Sequence, residues 1–310
     1  MYRVEDSAII PRMTTQASYI GRFAPSPTGA LHAGSLLAAL GSYLQARSRN
    51  GQWHVRIEDL DTPRCPPGIA DDILRDLERC GFEWDGAIVY QSRRLPAYQN
   101  ALERLQQTGE IYPCACSRRE IADSSINGID GPVYPGTCRQ GLAQGRIPRA
   151  LRIRTHDDLI CFNDLIQGQI CQRLQSEIGD FVLRRADGLF AYQLAVIIDD
   201  AELGVTEIVR GADLLSSTPR QIYLQRLLEL PTPDYAHLPV LVNAQGQKLS
   251  KQTLAPALAA AEPLAALRHA MDTLGHPPPA EIDTLESFWQ WAPATWRMAN
   301  VPSRRTIAAV

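Results

Sequence analysis

Apolar residues in the first third of the chain recur at two spacings, which predict strands and helices in alternation. Residues 19–24 form a short apolar run typical of a strand, and the leucines of residues 31–48 share one face of a helix. The same signals predict further strands at 53–57 and 205–210 and helices at 69–79, 95–107, 192–201 and 219–230. This alternation predicts an α/β fold with a Rossmann-like parallel sheet, whose ligands bind at the carboxyl ends of the strands.

Between residues 111 and 190 the alternation gives way to short strand-like segments separated by glycine and proline. We interpret this stretch as an inserted α+β domain, which makes the Rossmann-like domain discontinuous and assigns to it residues 18–110 and 191–262. Residues 1–17 are expected to be a flexible extension, and residues 263–310 a C-terminal helical tail.

The composition excludes a disordered or fibrous chain, since 45% of the 310 residues are hydrophobic and 21% are charged. The formal net charge is −3, so any contact with nucleic acid has to come from a local patch. Seven cysteines and the lack of a signal-peptide pattern predict a reducing, cytoplasmic location without membrane contact.

Two segments carry candidate phosphate chemistry: the run from Arg22 to Ser35, RFAPSPTGALHAGS, and Lys248-Leu-Ser-Lys251. His32 opens the first helix, where the dipole favours anions, and Gly34 lets a ligand approach the backbone. The two lysines follow the turn 243–246, on a loop able to close over a polyphosphate. Separately, these features are a turn-rich helix start and a surface lysine pair; together they favour an ATP site. Its candidate residues are His32, Gly34, Ser35, Lys248 and Lys251.

At these two segments the sequence resembles the class I aminoacyl-tRNA synthetases, and specifically their glutamyl branch, which opens on RFAPSPTG-x-LH. The resemblance implies catalytic roles for His32, Gly34 and Lys251, with Mg²⁺ accompanying ATP. The chain has HAGS and KLSKQ where the family has HIGH and KMSKS, so the last histidine and the methionine are replaced. We expect Ser35 to preserve the phosphate contact.

A second group of polar residues lies at or near predicted strand ends. Glutamate brings two carboxylates and one ammonium, so its pocket needs guanidinium groups for the acids and a carboxylate and a hydroxyl for the amine. Without the resemblance, four scattered polar residues are more often structural, and Asp59 and Asp61 are read as solvated or helix-capping. The resemblance implies glutamate-binding roles for Arg22, Phe23, Ala24, Pro25, Ser26, Glu58, Tyr192 and Arg210.

Three cysteines form a candidate metal site in the insertion, since Cys114 and Cys116 are followed by Cys138 on a glycine-containing turn. The resemblance adds Tyr134 as fourth ligand and implies one Zn²⁺ per chain. The alternative is three unrelated free thiols, and the loop 117–133 is longer than a compact zinc knuckle needs. The other four cysteines, expected to be buried or idle, are Cys65, Cys80, Cys161 and Cys171.

Only 59 residues follow Lys251, so we expect no separate anticodon-binding domain. This truncated architecture resembles the members of the family that transfer glutamate to the queuosine base in the anticodon of tRNA(Asp). The implied partners of an expected monomer are therefore L-glutamate, ATP and tRNA(Asp) carrying queuosine. The alternatives are an idle paralogue that binds tRNA or an adenylate, a nucleotidyltransferase acting on a small molecule, and a truncated synthetase that charges a tRNA 3′ end.

Arginine-rich, acid-free stretches in the insertion and the tail are usually solvated faces, but in a tRNA-linked fold they become candidate phosphate contacts. Their arginines are Arg139, Arg146, Arg149, Arg152, Arg154, Arg297, Arg304 and Arg305.

Overall fold

The computed structural model describes residues 18–249, 258 and 261–309. The strands are β1 (Ile20–Phe23), β2 (Gln52–Ile57), β3 (Val89–Tyr90), β4 (Ile111–Cys114), β5 (Asn127–Gly128), β6 (Gly131–Pro132), β7 (Ala150–Ile153), β8 (Leu159–Asp164), β9 (Gly168–Arg173), β10 (Val182–Arg184), β11 (Glu207–Gly211), β12 (Asp234–Leu238), β13 (Val240–Val242) and β14 (Thr306–Ala308). The α-helices are α1 (Ala33–Arg47), α2 (Ile69–Arg79), α3 (Leu95–Gln107), α4 (Arg118–Ser124), α5 (Leu174–Glu177), α6 (Tyr192–Glu202), α7 (Thr218–Leu227), α8 (Pro263–Thr273) and α9 (Leu285–Thr295). The predicted helices and strands of the alternating pattern are confirmed, with ends shifted by at most three residues.

Parallel strands form the central layer and confirm the predicted α/β class. β1 pairs with β2 and β2 with β3, while β11 pairs with β12, all in parallel. Thr206, just before β11, donates its amide to the carbonyl of Ile20 and so joins the two halves. The resulting order, β3-β2-β1-β11-β12, reverses direction between β1 and β11, which is the place where a doubly wound sheet binds its ligand.

Two hydrophobic cores cover the two faces of this sheet, because neighbouring residues of one strand point to opposite faces. Val209 and Ala236 belong to the core that contains α1, α2, α8 and α9. Ile208 and Tyr235 belong to the core that contains α3, α6 and α7. Helices on both faces keep the sheet dry and leave its carboxyl edge as the surface that can take a ligand.

The inserted segment 111–190 is only partly separate from the sheet. It contains an antiparallel sheet of order β10-β7-β4, but its hairpin β8–β9 leaves that sheet and joins the parallel one. The contact is a parallel pairing of Asp164 with Tyr235 of β12, and Leu165 donates its amide to the Tyr235 carbonyl at 2.9 Å. Part of the insertion therefore joins the parallel sheet beside the first residues of β12.

Two cysteines that the sequence left as idle thiols are joined in a disulfide. Cys161 and Cys171 face each other across the antiparallel pair β8–β9, and both are exposed. Directly opposed residues in such a pair bring their β-carbons close enough to bond, which a spacing of ten residues alone does not reveal. The expectation that Cys161 and Cys171 are buried or idle is wrong, whereas Cys80 is buried, as expected, and Cys65 is partly buried.

The tail contains helices α8 and α9, and in addition strand β14, which pairs in parallel with β13. Trp296 anchors it, since its indole nitrogen donates to the side-chain oxygen of Gln45 on α1 at 2.9 Å. Gln45 in turn donates to Glu207 at the start of β11 at 2.6 Å. This buried chain of side chains ties the tail to the central layer. In the described ranges no helix combines the length and apolarity that crossing a membrane requires.

Candidate active site and metal centre

One cavity of about 720 Å³ opens at the carboxyl edge between β1 and β11. It is lined by every described residue that the sequence proposed for glutamate or ATP. These residues are Arg22, Phe23, Ala24, Pro25, Ser26, His32, Gly34, Ser35, Glu58, Tyr192, Arg210 and Lys248. Lys251 lies outside the described residues. The cavity brings together two sets of residues that lie up to 226 positions apart in sequence, from Arg22 to Lys248.

His32 caps the N-terminus of α1 with its own ring. Nδ1 accepts the backbone amides of Gly34 at 3.1 Å and Ser35 at 3.3 Å. An accepting Nδ1 places the ring proton on Nε2, so His32 presents a donor on the ring side away from the helix. The amides of Gly34 and Ser35 are used by this cap, which makes the His32 ring the feature of the helix start best suited to meet a phosphate.

Gly34 is needed for this cap for a steric reason. A β-carbon at this position would lie 3.1 Å from Cε1 and 3.2 Å from Nδ1 of His32, closer than most β-carbon contacts in proteins. With a larger residue here the imidazole would have to shift by a few tenths of an ångström. The glycine is therefore explained by the ring that folds over it.

A buried ion network lies beneath the cavity. Arg22 Nε donates to Asp200 on α6 at 3.0 Å, and Arg56 of β2 donates to the same oxygen at 2.5 Å. Arg56 also donates to Glu58 at 3.0 Å. Its guanidinium is completely buried, and its Nε lies 3.7 Å from Asp199. The network fixes two ionic side chains of the cavity, Arg22 and Glu58, through Arg56, which does not line it.

The same network shifts the pKa values of its carboxyls in opposite directions. Burial raises the pKa of Glu58, and Arg56 opposes that shift without cancelling it. Burial alone would also raise the pKa of Asp200, but Arg22 and Arg56 outweigh it and the net shift is downward. Asp200 is therefore firmly ionised, while Glu58 gains most from a further positive partner in the cavity.

Arg210 lies on β11 in register with His237 of β12. Its Nε donates to His237 Nε2 at 3.0 Å and its Nη2 to the Thr218 hydroxyl at 2.8 Å. Nη1 reaches the Tyr192 hydroxyl, at the start of α6, at 3.4 Å. Three directions around the guanidinium are thus fixed, and the group reaches the cavity from a buried position.

Lys248 stands at the other side of the cavity, after the turn that begins at Asn243. The Asn243 side chain accepts the amides of Gln245 and Gln247, which closes this turn. The ammonium of Lys248 donates to Asp213, which also lines the cavity. A phosphate entering here would meet a lysine that is already held at the cavity wall.

Three thiols and one phenol converge in the insertion. The sulfurs of Cys114, Cys116 and Cys138 lie within 4.8 Å of one another, and those of Cys116 and Cys138 are 3.5 Å apart. The Tyr134 hydroxyl lies 3.4 Å from the Cys114 sulfur and 3.7 Å from the Cys116 sulfur. The ligands of a tetrahedral Zn²⁺ with bonds of about 2.3 Å would be about 3.8 Å apart. The donor set therefore fits a tetrahedral metal ion.

The loop 117–133 is longer than a compact knuckle because it has structure of its own. Ser117 and Glu120 form a reciprocal cap for α4, and the strands β5 and β6 pair as a short hairpin. Gly179 lies against the far side of Tyr134, where a β-carbon would come within 2.6 Å of the Tyr134 carbonyl oxygen. The loop thus returns Tyr134 and Cys138 to the first two cysteines.

The structure corrects one of the candidate phosphate contacts. Arg152 is buried, donates to the Cys114 sulfur at 3.3 Å and lies over the Tyr134 ring, so it packs against the cysteine cluster and does not face solvent. Arg139 donates to Asp180 and Arg154 donates to backbone carbonyls. Both are partly buried. The exposed members are Arg146, Arg149, Arg297, Arg304 and Arg305.

Sequence reasoning missed the residues that support the cavity from behind. Asp199 and Asp200 sit on a helix that the sequence predicts, yet nothing in the pattern shows that they face a buried arginine. His237 and Asp164 are isolated residues more than seventy positions apart. A charged pair on the apolar face of α6 was the one available signal, because buried carboxylates require partners.

Comparison with known proteins gives a consistent result. Residues 20–264 match the model of the family described as tRNA synthetases class I (E and Q), catalytic domain. Glutamyl-Q tRNA(Asp) synthetase of Chromobacterium violaceum is 58% identical over 289 residues, covering 93% of this chain and 97% of that protein. The protein of the same name from Aromatoleum aromaticum is 57% identical over 286 residues, covering 92% of this chain and 90% of that protein.

Solved structures of longer proteins share the fold. The crystal structure of glutamate-tRNA synthetase from Elizabethkingia anophelis superposes with a TM-score of 0.78 at 25% identity, over 94% of this chain and 68% of that one. A glutamate tRNA ligase from Elizabethkingia meningosepticum, in complex with its amino acid, gives 0.77 at 25% identity, over 93% of this chain and 66% of that one.

The buried network predicts a large effect of Arg56→Met on stability. The change leaves Asp199, Asp200 and Glu58 without their shared cation, so we expect a loss of about 3–5 kcal/mol in the free energy of unfolding. The matched control is Arg64→Met, whose side chain is 71% exposed and pairs with Asp61; it should cost less than about 1 kcal/mol. Chemical denaturation measures both. Equal losses would contradict a special role for the buried arginine.

The contact between Gly179 and Tyr134, next to the three clustered cysteines, predicts that alanine substitutions at two glycines differ in their effects on stability and metal content. Gly179 and Gly168 both have left-handed backbones, at φ values of 75° and 76°, but only Gly179 faces an obstacle, the backbone of Tyr134. Gly168→Ala should cost about 1–2 kcal/mol for the backbone alone. Gly179→Ala should cost more and should also lower the metal content per chain, since it displaces Tyr134. The idea fails if both variants bind metal like the unchanged protein.

Proposed function

Because the chain belongs to the family of class I tRNA synthetases (E and Q), we propose that it activates L-glutamate with ATP and transfers the glutamyl group to the queuosine base in the anticodon of tRNA(Asp). The observation that carries the proposal is the single cavity that joins the glutamate and ATP candidates at the carboxyl edge of the sheet. The names of the relatives that match over nearly their whole lengths support the acceptor.

The charges of the cavity suit glutamate. Arg22 and Arg210 offer guanidinium groups to the two carboxylates, and Glu58 offers a carboxylate to the ammonium. Burial raises the pKa of Glu58, and Arg56 opposes this shift only in part. A bound ammonium would therefore stabilise the ionised form of Glu58 further. The Tyr192 hydroxyl, next to Arg210, is placed to share a substrate oxygen.

The phosphates of ATP are assigned to the other end of the cavity. The Nε2 proton of His32 faces the developing charge, and Gly34 lets the imidazole lie against the helix start. Lys248 exchanges Asp213 for a phosphate, and Lys251, assigned from its motif, stabilises the pyrophosphate that leaves. Mg²⁺ bound with ATP neutralises part of the phosphate charge.

The reaction then takes two steps. An oxygen of the glutamate α-carboxylate attacks the α-phosphorus of ATP, the bond to the bridging oxygen breaks, and pyrophosphate leaves with the electron pair. A hydroxyl of the cyclopentene ring of queuosine next attacks the carbonyl carbon of the mixed anhydride, AMP leaves, and the hydroxyl proton is released. The protein contributes position and charge, so it needs no nucleophilic side chain.

We assign zinc to the donor set Cys114, Cys116, Tyr134 and Cys138, one ion per chain. Sulfur ligands in tetrahedral arrangement favour Zn²⁺ over the harder divalent ions. Burial raises the pKa of the Cys116 thiol to about 11, so a bound cation, not its surroundings, has to supply the ionised form. The metal then ties the end of β4 to the segment that carries Tyr134 and Cys138.

Arg210→Ala should raise the KM for glutamate and let glutamine compete better. Losing a hydrogen bond to a charged group costs about 1.5–3 kcal/mol, so the preference for glutamate should fall about ten-fold or more. ATP–pyrophosphate exchange with each amino acid measures it. Arg75→Ala, an exposed arginine far from the cavity lining, is the control and should leave the ratio unchanged. An unaltered ratio in Arg210→Ala moves the specificity elsewhere.

Metal analysis should find about one zinc per chain, and Cys138→Ser should lose it while Cys65→Ser retains it. Cys138 lies in the cluster, whereas Cys65 lies outside it. Thermal melting should show a larger loss for Cys138→Ser, because the binding energy of a structural zinc is folding energy. Stoichiometric zinc in a variant without all three cluster cysteines would refute the assignment.

The acceptor is tested with radiolabelled glutamate. The label should attach to tRNA(Asp) that carries queuosine, should persist when that tRNA lacks its 3′-terminal adenosine, and should vanish when queuosine is absent. Arg149→Ala, at an exposed position of the insertion, should weaken the transfer and lower its salt dependence while tRNA-free exchange stays unchanged. Labelling at the 3′ end of tRNA(Glu) would show instead a shortened conventional synthetase.

A further inference from the structure

Three buried side chains form a line directly behind the cavity. The Asp164 carboxylate contacts His237 Nδ1 at 2.5 Å, and His237 Nε2 accepts Arg210 Nε at 3.0 Å. The side chains of Asp164 and His237 are 0% exposed. They come from β8, β12 and β11, so the line crosses from the insertion through the parallel sheet to the cavity.

The protonation of this line follows from its hydrogen bonds. Arg210 Nε can only donate, so His237 Nε2 accepts and the ring proton sits on Nδ1, where it is donated to Asp164. Burial lowers the pKa of His237 to about 4, against the opposing hydrogen bond to Asp164. The ring is therefore neutral at physiological pH. The amides of Ile166, Gln167 and His237 all donate to Oδ1 of Asp164, which leaves Oδ2 for the imidazole.

The imidazole gives Arg210 a different environment from that of Arg22. Arg22 is paired directly with a buried carboxylate, Asp200, which offsets its charge. Arg210 is held by a neutral ring and by the Thr218 hydroxyl, so its orientation is fixed while its charge stays available. An available charge distinguishes a substrate carboxylate from a carboxamide.

We propose that His237, oriented by Asp164, is the positioning residue that directs Arg210 toward the substrate and sets the preference for a carboxylate over a carboxamide. The proposal rests on the proposed function, in which Arg210 binds glutamate. His237 itself does not line the cavity. It acts by fixing the rotation of the guanidinium and by withholding a direct negative partner.

Two substitutions at one position separate the two contacts of the ring. His237→Asn places an amide near Nδ1, which can still donate to Asp164 but cannot reach Arg210. His237→Gln places an amide oxygen near Nε2, which can still accept from Arg210. We expect His237→Asn to reduce the preference for glutamate over glutamine about ten-fold or more, the effect of about 1.5 kcal/mol for a lost charge-assisted hydrogen bond. His237→Gln should stay within about three-fold of the unchanged protein by the same scale.

The measurement is ATP–pyrophosphate exchange with glutamate and with glutamine, alongside the melting temperature of each variant. The change should appear in KM for glutamate more than in kcat, since the guanidinium binds the side chain and not the reacting atoms. A merely structural histidine would predict equal losses of stability and equal kinetics in the two variants, and that result would overturn the proposal.

Asp164→Asn gives a second test, in which residue 237 remains a histidine. Oδ1 stays occupied by three amides, so the new NH₂ replaces Oδ2 and donates to His237 Nδ1, which forces the ring proton onto Nε2 against Arg210. We expect the preference for glutamate to fall as in His237→Asn. The ¹⁵N shifts of the His237 ring should show the exchange of tautomers. A changed tautomer with an unchanged preference would overturn the proposal.

The failure of this proposal can be told apart from failure of the proposed function. If Arg210→Ala loses the preference while His237→Asn and Asp164→Asn keep it, Arg210 binds glutamate without help from His237, and the positioning role is wrong. If Arg210→Ala keeps the preference for glutamate, Arg210 does not bind the glutamate side chain. Its role in the proposed function and the positioning role of His237 are then both wrong.

Discussion

The rest of the cavity depends on the ion pairs that the completely buried guanidinium of Arg56 makes. It reaches Asp200 on α6 and Glu58 after β2, and Asp200 in turn holds Arg22 on β1. Leaving any one of these charges unpaired away from water costs several kcal/mol, so the strands and the helix cannot shift relative to one another without breaking the set. The position of Tyr192, at the first turn of α6, follows from the same constraint.

Because of this network, the charged side chains of the cavity differ in whether a buried partner of opposite charge offsets them. Arg22 is largely offset by the buried carboxylate of Asp200, and Glu58 supplies a negative group to the cavity. Arg210, by contrast, is held by neutral partners and keeps its charge. A cavity with positive and negative groups at fixed positions suits a zwitterion that has a further carboxylate. It repels a molecule whose side chain is positively charged, because Arg210 would face a like charge.

The sequence predicts the parts of the fold that depend on local pattern. The helix and strand periods of the first third, the helix start at His32 and the spacing of Cys114 and Cys116 all depend on neighbours in the chain. The pairing of β8 with β12, the disulfide between Cys161 and Cys171 and the burial of Arg152 depend on contacts between distant segments. An arginine-rich run looks the same in a single sequence whether its side chains face solvent or, like Arg152, contact buried cysteines.

The insertion and the parallel sheet also depend on each other, through hydrogen bonds and ion pairs between distant segments. Asp164, which orients the ring behind Arg210, comes from the inserted segment, as does Arg185, which pairs with Asp61 at 2.8 Å near the end of β2. In the other direction, from the sheet domain to the insertion, the Tyr223 hydroxyl of α7 donates to the carbonyl of Arg154 at 2.7 Å. Cutting the insertion out would leave His237 buried without its carboxylate and Arg210 without a fixed orientation. The segment that carries the three clustered cysteines is therefore also part of the support for the cavity.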